Sequence, residues 1–255
     1  YLFNYKFIMK IIVLGGDGFC GWPVSLSLSI NHEVLIIDNF FRRNIDTELS
    51  ISSLTPIKTL EERLKTWNLN NIKPINFIHL DISKQYNRLK TIVSEFKPDA
   101  IIHFAEQKSA QYSMISSFHK NVTVTQNASA TINVLNSIVE NDKSIHLIHL
   151  GTMGVYGYGF IEGIIPEGYL EVTIDNDSKK SKKEILYPAS PGSVYHMSKT
   201  IDQVMFQFYN KNDKLKITDL HQGIVWGTQT NETSLDINLI NRFDYDGEFG
   251  TVLNR

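Results

Sequence analysis

Two side chains four residues apart, Tyr195 and Lys199, are the clearest candidates for chemistry in this sequence. On a helix this spacing places both side chains on one face. A nearby ammonium, together with the positive charge of a nicotinamide, would stabilise a phenolate and bring the tyrosine pKa from about 10 toward the range in which tyrosine can act as a general base. Thr152 is a third candidate, because it follows the apolar run 145–150 and ligands of open α/β sheets bind where strands end.

A glycine-rich segment, GGDGFCG, predicts a dinucleotide site. Its glycines stand at G-x-x-G-x-x-G spacing, at Gly15, Gly18 and Gly21. Between a strand and a helix, such glycines allow a tight turn and close approach of backbone N–H groups to a pyrophosphate. Asp38 ends the next apolar run, and its carboxylate can accept both hydroxyls of an adenosine ribose while repelling a 2′-phosphate. The pattern therefore favours NAD, although Arg42 and Arg43 could accept that phosphate and keep NADP as the alternative.

The composition excludes several classes of protein. A net charge of −2 gives no basic surface for nucleic acid or an anionic membrane. No apolar run approaches the ~20 residues of a membrane span. One cysteine excludes an intrachain disulfide framework and a cysteine-based zinc cluster. The His, Asp and Glu residues lack convincing metal-ligand spacing, so no metal site is predicted, and we interpret His103, His146 and His149 as core histidines.

Strand-like and helix-like segments alternate along the chain, which predicts βαβ units and a doubly wound parallel sheet. The predicted strands are residues 10–14, 33–37, 76–80, 100–104, 145–150 and 216–220. The predicted helices are residues 23–30, 86–96, 121–140 and 195–209. The charged region 171–184 is interpreted as a solvated loop. The fold class is therefore α/β, of Rossmann type.

Three regions are assigned along the chain. Residues 10–225 form the predicted NAD-binding domain, and residues 1–9 are an extension or a fragment end. Residues 226–255 are interpreted as the start of a smaller C-terminal substrate lobe. Both ends look cut, so most of that lobe is expected to lie beyond this chain.

The order of glycine loop, threonine, tyrosine and lysine resembles the extended short-chain dehydrogenase/reductase superfamily. The blocks VLGGDGFCGWP, DNFFRRNID, HFAEQKSAQYSM and LGTMGVYG resemble, more narrowly, the UDP-sulfoquinovose synthase family. This resemblance implies conversion of UDP-glucose and sulfite to UDP-sulfoquinovose for sulfolipid, by NAD-dependent oxidation at C4, loss of water across C5 and C6, sulfite addition at C6 and return of the hydride. It further implies a homodimer, in the plastid stroma or else a bacterial cytoplasm.

The resemblance also implies roles for individual residues. Thr152, Tyr195 and Lys199 become a catalytic triad in which the threonine binds a sugar hydroxyl, the tyrosine takes its proton and the lysine holds the nicotinamide ribose. Together with the glycine loop, the predicted NAD contacts are Gly15, Asp17, Gly18, Phe19, Cys20, Gly21, Asp38, Asn39, Arg42, Arg43, Asp81, Ile82, Phe104, Asn127, Tyr195, Lys199, Gln222 and Val225. The predicted substrate contacts are Gln107, Lys108, Ser109, Thr152, His221 and Arg242.

Four positions depart from the synthase pattern: Val155 replaces a usual Glu, Lys108 an Arg, Gln111 a Pro and His221 an Asn. Two alternatives stay open. One is another NAD-dependent sugar-nucleotide enzyme, a UDP-glucose 4-epimerase or 4,6-dehydratase, and the other is an inactive NAD-binding protein. Met153 and Gly154 stand where a dehydratase has the Asp-Glu pair that drives elimination, which argues against a dehydratase.

Overall fold

A computed structural model describes residues 7–70, 73–157, 165–176, 179–227, 229–243 and 250. The strands among them are β1 (Lys10–Leu14), β2 (Glu33–Asp38), β3 (Asn76–His79), β4 (Ala100–His103), β5 (His146–Leu150), β6 (Leu170–Asn176), β7 (Lys179–Ile185) and β8 (Lys216–Leu220). The α-helices are α1 (Gly21–Ser29), α2 (Phe41–Leu49), α3 (Leu60–Asn70), α4 (Tyr86–Phe96), α5 (Ser117–Asn141) and α6 (Val194–Asp213).

Six of these strands form one parallel sheet in the order β3-β2-β1-β4-β5-β8. From β1 the chain adds β2 and β3 on one side, then crosses back to the other side of β1, where it adds β4, β5 and β8. The strand order therefore reverses between β1 and β4, which is where a doubly wound sheet binds its ligand. The predicted fold class, α/β of Rossmann type, is confirmed.

The sheet is covered on both faces, because side chains of its central strands alternate between two cores. Ile12 and Leu14 of β1 pack into a core with α4, α5 and α6, whereas Ile11 and Val13 pack with α1 and α3 on the other face. Burial on both faces explains why β1 and β2 are apolar runs rather than alternating sequences.

Two features of the fold differ from the prediction. Helices α2 and α3 lie in a stretch for which no helix was predicted. The region 171–184 is not a loop, since β6 and β7 form an antiparallel hairpin with ion pairs Lys182–Glu171 (2.8 Å) and Lys180–Asp175 (3.2 Å). Its exposed lysine-rich strand lacks the apolar alternation from which strands are recognised.

The described part of the predicted C-terminal lobe lies against the glycine-loop side of the sheet. Trp22 Nε1 donates to the Leu239 carbonyl (2.8 Å), and Asn241 Nδ2 donates to the Phe19 carbonyl (2.9 Å). The assigned boundary at residue 226 stays a prediction, and most of residues 244–255 and 1–6 lie outside the described residues. Among the described helices, none is both long and apolar enough to cross a membrane.

Candidate active site

The turn between β1 and α1 requires glycine at two positions. Gly15 has φ +81°, and a Cβ there would lie 2.8 Å from the Ala105 amide nitrogen. A Cβ on Gly21, the first residue of α1, would lie 2.0 Å from the Gly15 carbonyl oxygen. The glycine loop therefore brings backbone close to backbone at the amino end of a helix, which is the geometry of a pyrophosphate site.

Asp38, at the end of β2, is held by that loop. Its carboxylate accepts the backbone N–H groups of Asp17 (2.9 Å) and Phe40 (2.7 Å), one on each oxygen. Burial, followed by the neighbouring Asp17 carboxylate, raises the pKa of Asp38 to about 6. The group is therefore an anion at neutral pH with remaining lone pairs for ribose hydroxyls.

The two arginines predicted to contact the cofactor are engaged by acids. Arg43 donates to Asp17 through Nε (2.5 Å) and Nη2 (2.8 Å), and also to the Lys58 carbonyl (2.9 Å). Arg42 pairs with Asp46 one helical turn away. These contacts direct Arg43 away from the cavity.

A buried arginine that the sequence did not indicate completes this arrangement. Arg63 of α3 donates from Nη1 to Asp17 Oδ1 (3.0 Å), the oxygen that also accepts Arg43 Nη2, and stacks over Trp22, 3.9 Å from its ring centroid. Arg242 pairs with Asp46 (2.5 Å), the acid that also binds Arg42, so the C-terminal segment contributes a cation to this cluster of acids and arginines.

One cavity of about 310 Å³ runs from the glycine loop to the ends of β4, β5 and β8. The predicted residues that line it are Gly15, Asp17, Gly18, Phe19, Cys20, Gly21, Asp38, Asn39, Arg42, Asp81, Ile82, Phe104, Gln107, Lys108, Asn127, Thr152, Tyr195, Lys199, Gln222, Val225 and Arg242. The structure therefore gathers Thr152, Tyr195 and Lys199 in the space that the loop borders, although they come from different elements.

Three predicted residues do not line the cavity: Arg43, Ser109 and His221. The side chain of Arg43 is bound by Asp17, as above. Ser109 is buried in a turn, where its hydroxyl accepts the Tyr112 N–H (3.0 Å). The ring of His221 is bound by Asp219.

Asn127 of α5 lies against the loop that follows β4. Its side-chain oxygen accepts the Gln107 N–H (2.9 Å), and its amide donates to the Gln107 carbonyl and the Ser198 hydroxyl (both 3.0 Å). Since both ends of the amide are bound, Asn127 ties the cavity-lining loop to α6.

Lys199 is bound by an acid that the sequence analysis missed. Its ammonium pairs with the buried carboxylate of Glu106, after β4, and donates to the Leu150 carbonyl (2.8 Å). Burial alone would lower the pKa of Lys199, but Glu106 raises it above the usual value. Burial would raise the pKa of Glu106, but Lys199 and His149 hold it well below the usual range. The pair is therefore ionised inside the protein.

The pKa of Tyr195 is raised in the structure without ligands. Burial raises the pKa of Tyr195 to about 12, and the attraction of Lys199 is opposed by Glu106 and Asp202. Lys199 alone does not offset the effect of burial, because its charge is shared with carboxylates from elsewhere in the chain. The expectation also invokes the positive charge of a nicotinamide, and it stays a prediction. In this structure, without a cofactor, Tyr195 is a neutral phenol.

His149 is a core histidine, as predicted, but it belongs to this charged cluster. Its Nε2 lies 3.2 Å from Glu106 Oε1, and its Nδ1 lies 2.7 Å from Asp219 Oδ1. Burial and Lys199 disfavour the imidazolium, yet Glu106 and Asp219 outweigh them and raise the pKa of His149 to about 9. Glu106, His149 and Asp202 lie close enough to hold a metal, but the Lys199 ammonium supplies the cation within that group.

The turn after β5 places Thr152 at the cavity and buries Val155. The Thr152 hydroxyl accepts the Gly154 N–H (3.1 Å) and caps a short 3₁₀ helix. Val155 is 1% exposed and does not line the cavity. A Cβ on Gly154 would lie 2.2 Å from the His196 ring, so a side chain there would require that ring to move.

Comparison with known proteins assigns the class: residues 11–245 match the NAD dependent epimerase/dehydratase family, and the chain belongs to it. It is 40% identical to the chloroplastic UDP-sulfoquinovose synthase of Spinacia oleracea over 96% of this chain and 50% of that protein. It is also 40% identical to the UDP-sulfoquinovose synthase of Sulfolobus acidocaldarius, over 97% of this chain and 61% of that protein. The chain thus spans about half the length of the curated relatives it matches.

Solved structures agree on the fold. The UDP-N-acetylglucosamine 4-epimerase of Methanobrevibacter ruminantium M1 matches with a TM-score of 0.64 at 19% identity, over 96% of this chain and 60% of that one. The UDP-glucose 4-epimerase of Brucella ovis, solved with NAD, matches with a TM-score of 0.57 at 17% identity, over 84% of this chain and 51% of that one.

Proposed function

We propose that this protein binds NAD and takes part in converting UDP-glucose and sulfite to UDP-sulfoquinovose. The observation that carries the proposal is one cavity joining the glycine loop and Asp38 to Thr152, Tyr195 and Lys199. The 40% identity to two UDP-sulfoquinovose synthases over nearly the whole chain supports the substrate assignment.

The residues present fit NAD. The loop cradle, which a Cβ at Gly15 or Gly21 would fill, accommodates a pyrophosphate, and Asp38 offers a carboxylate to the adenosine ribose. The engagement of Arg43 by Asp17 supports NAD over NADP. When bound, NAD supplies a hydride acceptor.

The chain's own residues supply the acid–base chemistry. Thr152 would orient a sugar hydroxyl, Tyr195 would take its proton, and Lys199 would stabilise the phenolate. Because Tyr195 has a pKa of about 12 in the structure without ligands, the positive charge of an oxidised nicotinamide would have to lower it before the proton moves.

The turn after β5 disfavours the dehydratase alternative. A dehydratase would place its Asp-Glu pair at positions 153 and 154, where this chain has Met153 and Gly154. A 4-epimerase needs no such acid and remains the rival reaction. An NAD-binding protein without catalysis is the second rival.

A product analysis separates these functions. The protein is incubated with NAD and UDP-glucose, with and without sulfite, and the products are identified by mass spectrometry. UDP-sulfoquinovose formed only with sulfite supports the proposal, whereas UDP-galactose alone would identify an epimerase. Tight NAD binding without turnover, unchanged in Tyr195→Phe, would identify the inactive protein.

We also propose that two copies pair through α6. Met197, Val204 and Phe208 lie on one face of that helix and are 39%, 55% and 58% exposed, an apolar face suited to a partner. In analytical ultracentrifugation, the unmodified protein should sediment as a dimer and the Phe208→Glu variant as a monomer. If both proteins sediment as monomers, the pairing is refuted.

The compartment stays a prediction, a plastid stroma or a bacterial cytoplasm, with one relative chloroplastic and the other archaeal.

A further inference from the structure

The glycine loop carries an acid, Asp17, which is only 4% exposed and borders the cavity. Its backbone N–H donates to Asp38 Oδ2 (2.9 Å), in the carboxylate that we propose for the adenosine ribose. A buried carboxylate is unfavourable unless it is paired, and one beside a pyrophosphate would also repel that anion. The turn itself does not explain this acid, because the close backbone contacts of the loop depend on Gly15 and Gly21.

Two arginines compensate the charge of Asp17. Arg43 of α2 donates from Nε to Oδ2 (2.5 Å) and from Nη2 to Oδ1 (2.8 Å), so the acid accepts from one whole edge of the guanidinium. Arg63 of α3 donates to Oδ1 as well (3.0 Å), but its side chain is 0% exposed and stacks over Trp22. Arg63 is therefore fixed inside the protein, whereas the Arg43 side chain is 27% exposed and is the one that a ligand could reach.

The donors of Arg43 are used so that neither edge of its guanidinium is complete. An arginine binds a phosphate best through two parallel N–H groups on one edge. Asp17 occupies the Nε/Nη2 edge. Nη2 also donates to the Lys58 carbonyl (2.9 Å), which takes one of the two donors from the Nη1/Nη2 edge. In this arrangement Arg43 offers no pair of donors to a phosphate.

The position of Arg43 is one at which a free arginine would change the choice of cofactor. Helix α2 begins three residues after Asp38, and Asp38 and Arg43 lie close enough for each charge to shift the pKa of the other. A 2′-phosphate would stand in place of a ribose hydroxyl at Asp38, beside the first turn of that helix. An arginine released there would offset the repulsion between Asp38 and the phosphate. Arg42, the neighbouring arginine, pairs with Asp46.

We propose that Asp17 determines the choice between NAD and NADP by holding Arg43 away from the 2′-position of the adenosine ribose. Asp38 repels a 2′-phosphate directly, and Asp17 withholds the cation that would compensate for that repulsion. Asp17 acts through Arg43 and touches no reacting atom, so it is a specificity-determining residue and not a catalytic one. The proposal rests on the NAD site of the proposed function and is independent of the reaction at the sugar.

A double-variant cycle on the whole chain tests this role. Isothermal titration calorimetry measures the affinities for NAD and for NADP in the unmodified protein, in Asp17→Asn, in Arg43→Gln and in the variant with both changes. Asp17→Asn keeps the side-chain size and the backbone N–H to Asp38, but it removes the charge that binds Arg43. The ratio of NADP affinity to NAD affinity should rise roughly tenfold in Asp17→Asn, as for one hydrogen bond to a charged group.

The Arg43→Gln arms separate the release of Arg43 from a simple loss of negative charge. In the Asp17→Asn background, Arg43→Gln should return the ratio to that of the unmodified protein, whereas beside Asp17 it should change the ratio little. An equal effect in both backgrounds overturns the proposal, because summed charge alone would be additive. The control Glu48→Gln removes an acid of α2 that contacts Tyr112 and His119, and a rise in the ratio there would also overturn the proposal.

Asp17→Asn leaves Arg63 buried without an acid, so circular dichroism is used to check that each variant folds. If the variant does not fold, the same cycle is measured with Arg63→Met, which removes that charge and keeps an apolar side chain over Trp22. An unchanged ratio in a folded Asp17→Asn protein overturns the role of Asp17 even if UDP-sulfoquinovose is formed. The expected cycle without any UDP-sulfoquinovose supports that role and contradicts the proposed reaction alone.

Discussion

The two ends of the cavity use charge differently. At the glycine-loop end, Asp38 is bound by backbone N–H groups, and Asp17 by arginines of which Arg43 keeps 27% of its side chain exposed. At the lysine end, Lys199 and Glu106 are 5% and 3% exposed and depend on one another. Backbone donors leave Asp38 with lone pairs for a ligand, whereas the buried ions at the lysine end determine the protonation of their neighbours.

The largest expected effect is the loss of the lysine-end pair. Lys199→Met removes the ammonium from the buried Glu106, which keeps only His149 as an ionic partner, and the free energy of unfolding should fall by up to about 3–5 kcal/mol. Urea denaturation measures it. The double variant Lys199→Met/Glu106→Gln should recover most of the loss, and a single-variant loss below about 1 kcal/mol would mean that the pair behaves like a surface pair.

At the other end, substitution should weaken cofactor binding instead. Asp38→Ala removes a charged acceptor for the ribose, and NAD affinity should fall roughly tenfold to a hundredfold, as for hydrogen bonds worth about 1.5–3 kcal/mol. Isothermal titration calorimetry measures the change. Asp99→Ala removes a carboxylate that binds the Lys10 N–H (2.7 Å) at the amino ends of the central strands, away from the cavity, and NAD affinity should not change.

The buried acid should control the tyrosine. Glu106→Gln removes a negative charge and leaves the Lys199 ammonium acting on Tyr195, so the pKa of Tyr195 should fall from about 12 by about 1 unit. Tyrosinate absorbance measures it, as the difference from Tyr195→Phe in the same background. Glu48→Gln is the control, because Glu48 accepts a hydrogen bond from a different tyrosine, Tyr112 (3.0 Å). In this variant the pKa of Tyr195 should not change. A rise for Glu106→Gln would contradict this assignment.

The smallest expected effect is a pH dependence at the glycine-loop end. Burial and Asp17 raise the pKa of Asp38 to about 6, so the carboxylate is present above pH 6 and is lost as the pH falls through that value. NAD affinity at pH 5 should therefore be several-fold below that at pH 7.5, and about tenfold at most. The Asp38→Ala variant should bind NAD with an affinity that no longer depends on pH in this range. If the pH dependence persists in this variant, it belongs to another titrating group.

Much of the glycine-loop end could be predicted from the sequence, because its signals are local. The glycines and Asp38 follow two apolar runs in order, and each run became a strand of the sheet. Helices α2 and α3 carry apolar residues at helical spacing, Phe41, Ile45 and Leu49 in one and Leu60, Leu64 and Trp67 in the other, so their signal was present in the sequence and was missed. The β6–β7 hairpin escaped prediction because its lysine-rich strand is charged and exposed.

The lysine end was only half predictable. The four-residue spacing of Tyr195 and Lys199 revealed that pair, but Glu106, His149 and Asp219 come from three other elements that meet only in the folded sheet. Nothing in the spacing of these residues signals an ion network.

The sequence by itself determined the parallel α/β sheet, the nucleotide loop and the identity of the tyrosine–lysine pair, because periodicity and short motifs act between near neighbours. Only the tertiary structure decided the charge state of that pair. Strand pairing places His149 beside Asp219, and the loop after β4 buries Glu106 against Lys199. In that buried setting the neighbouring charges, more than the residue type, determine each pKa.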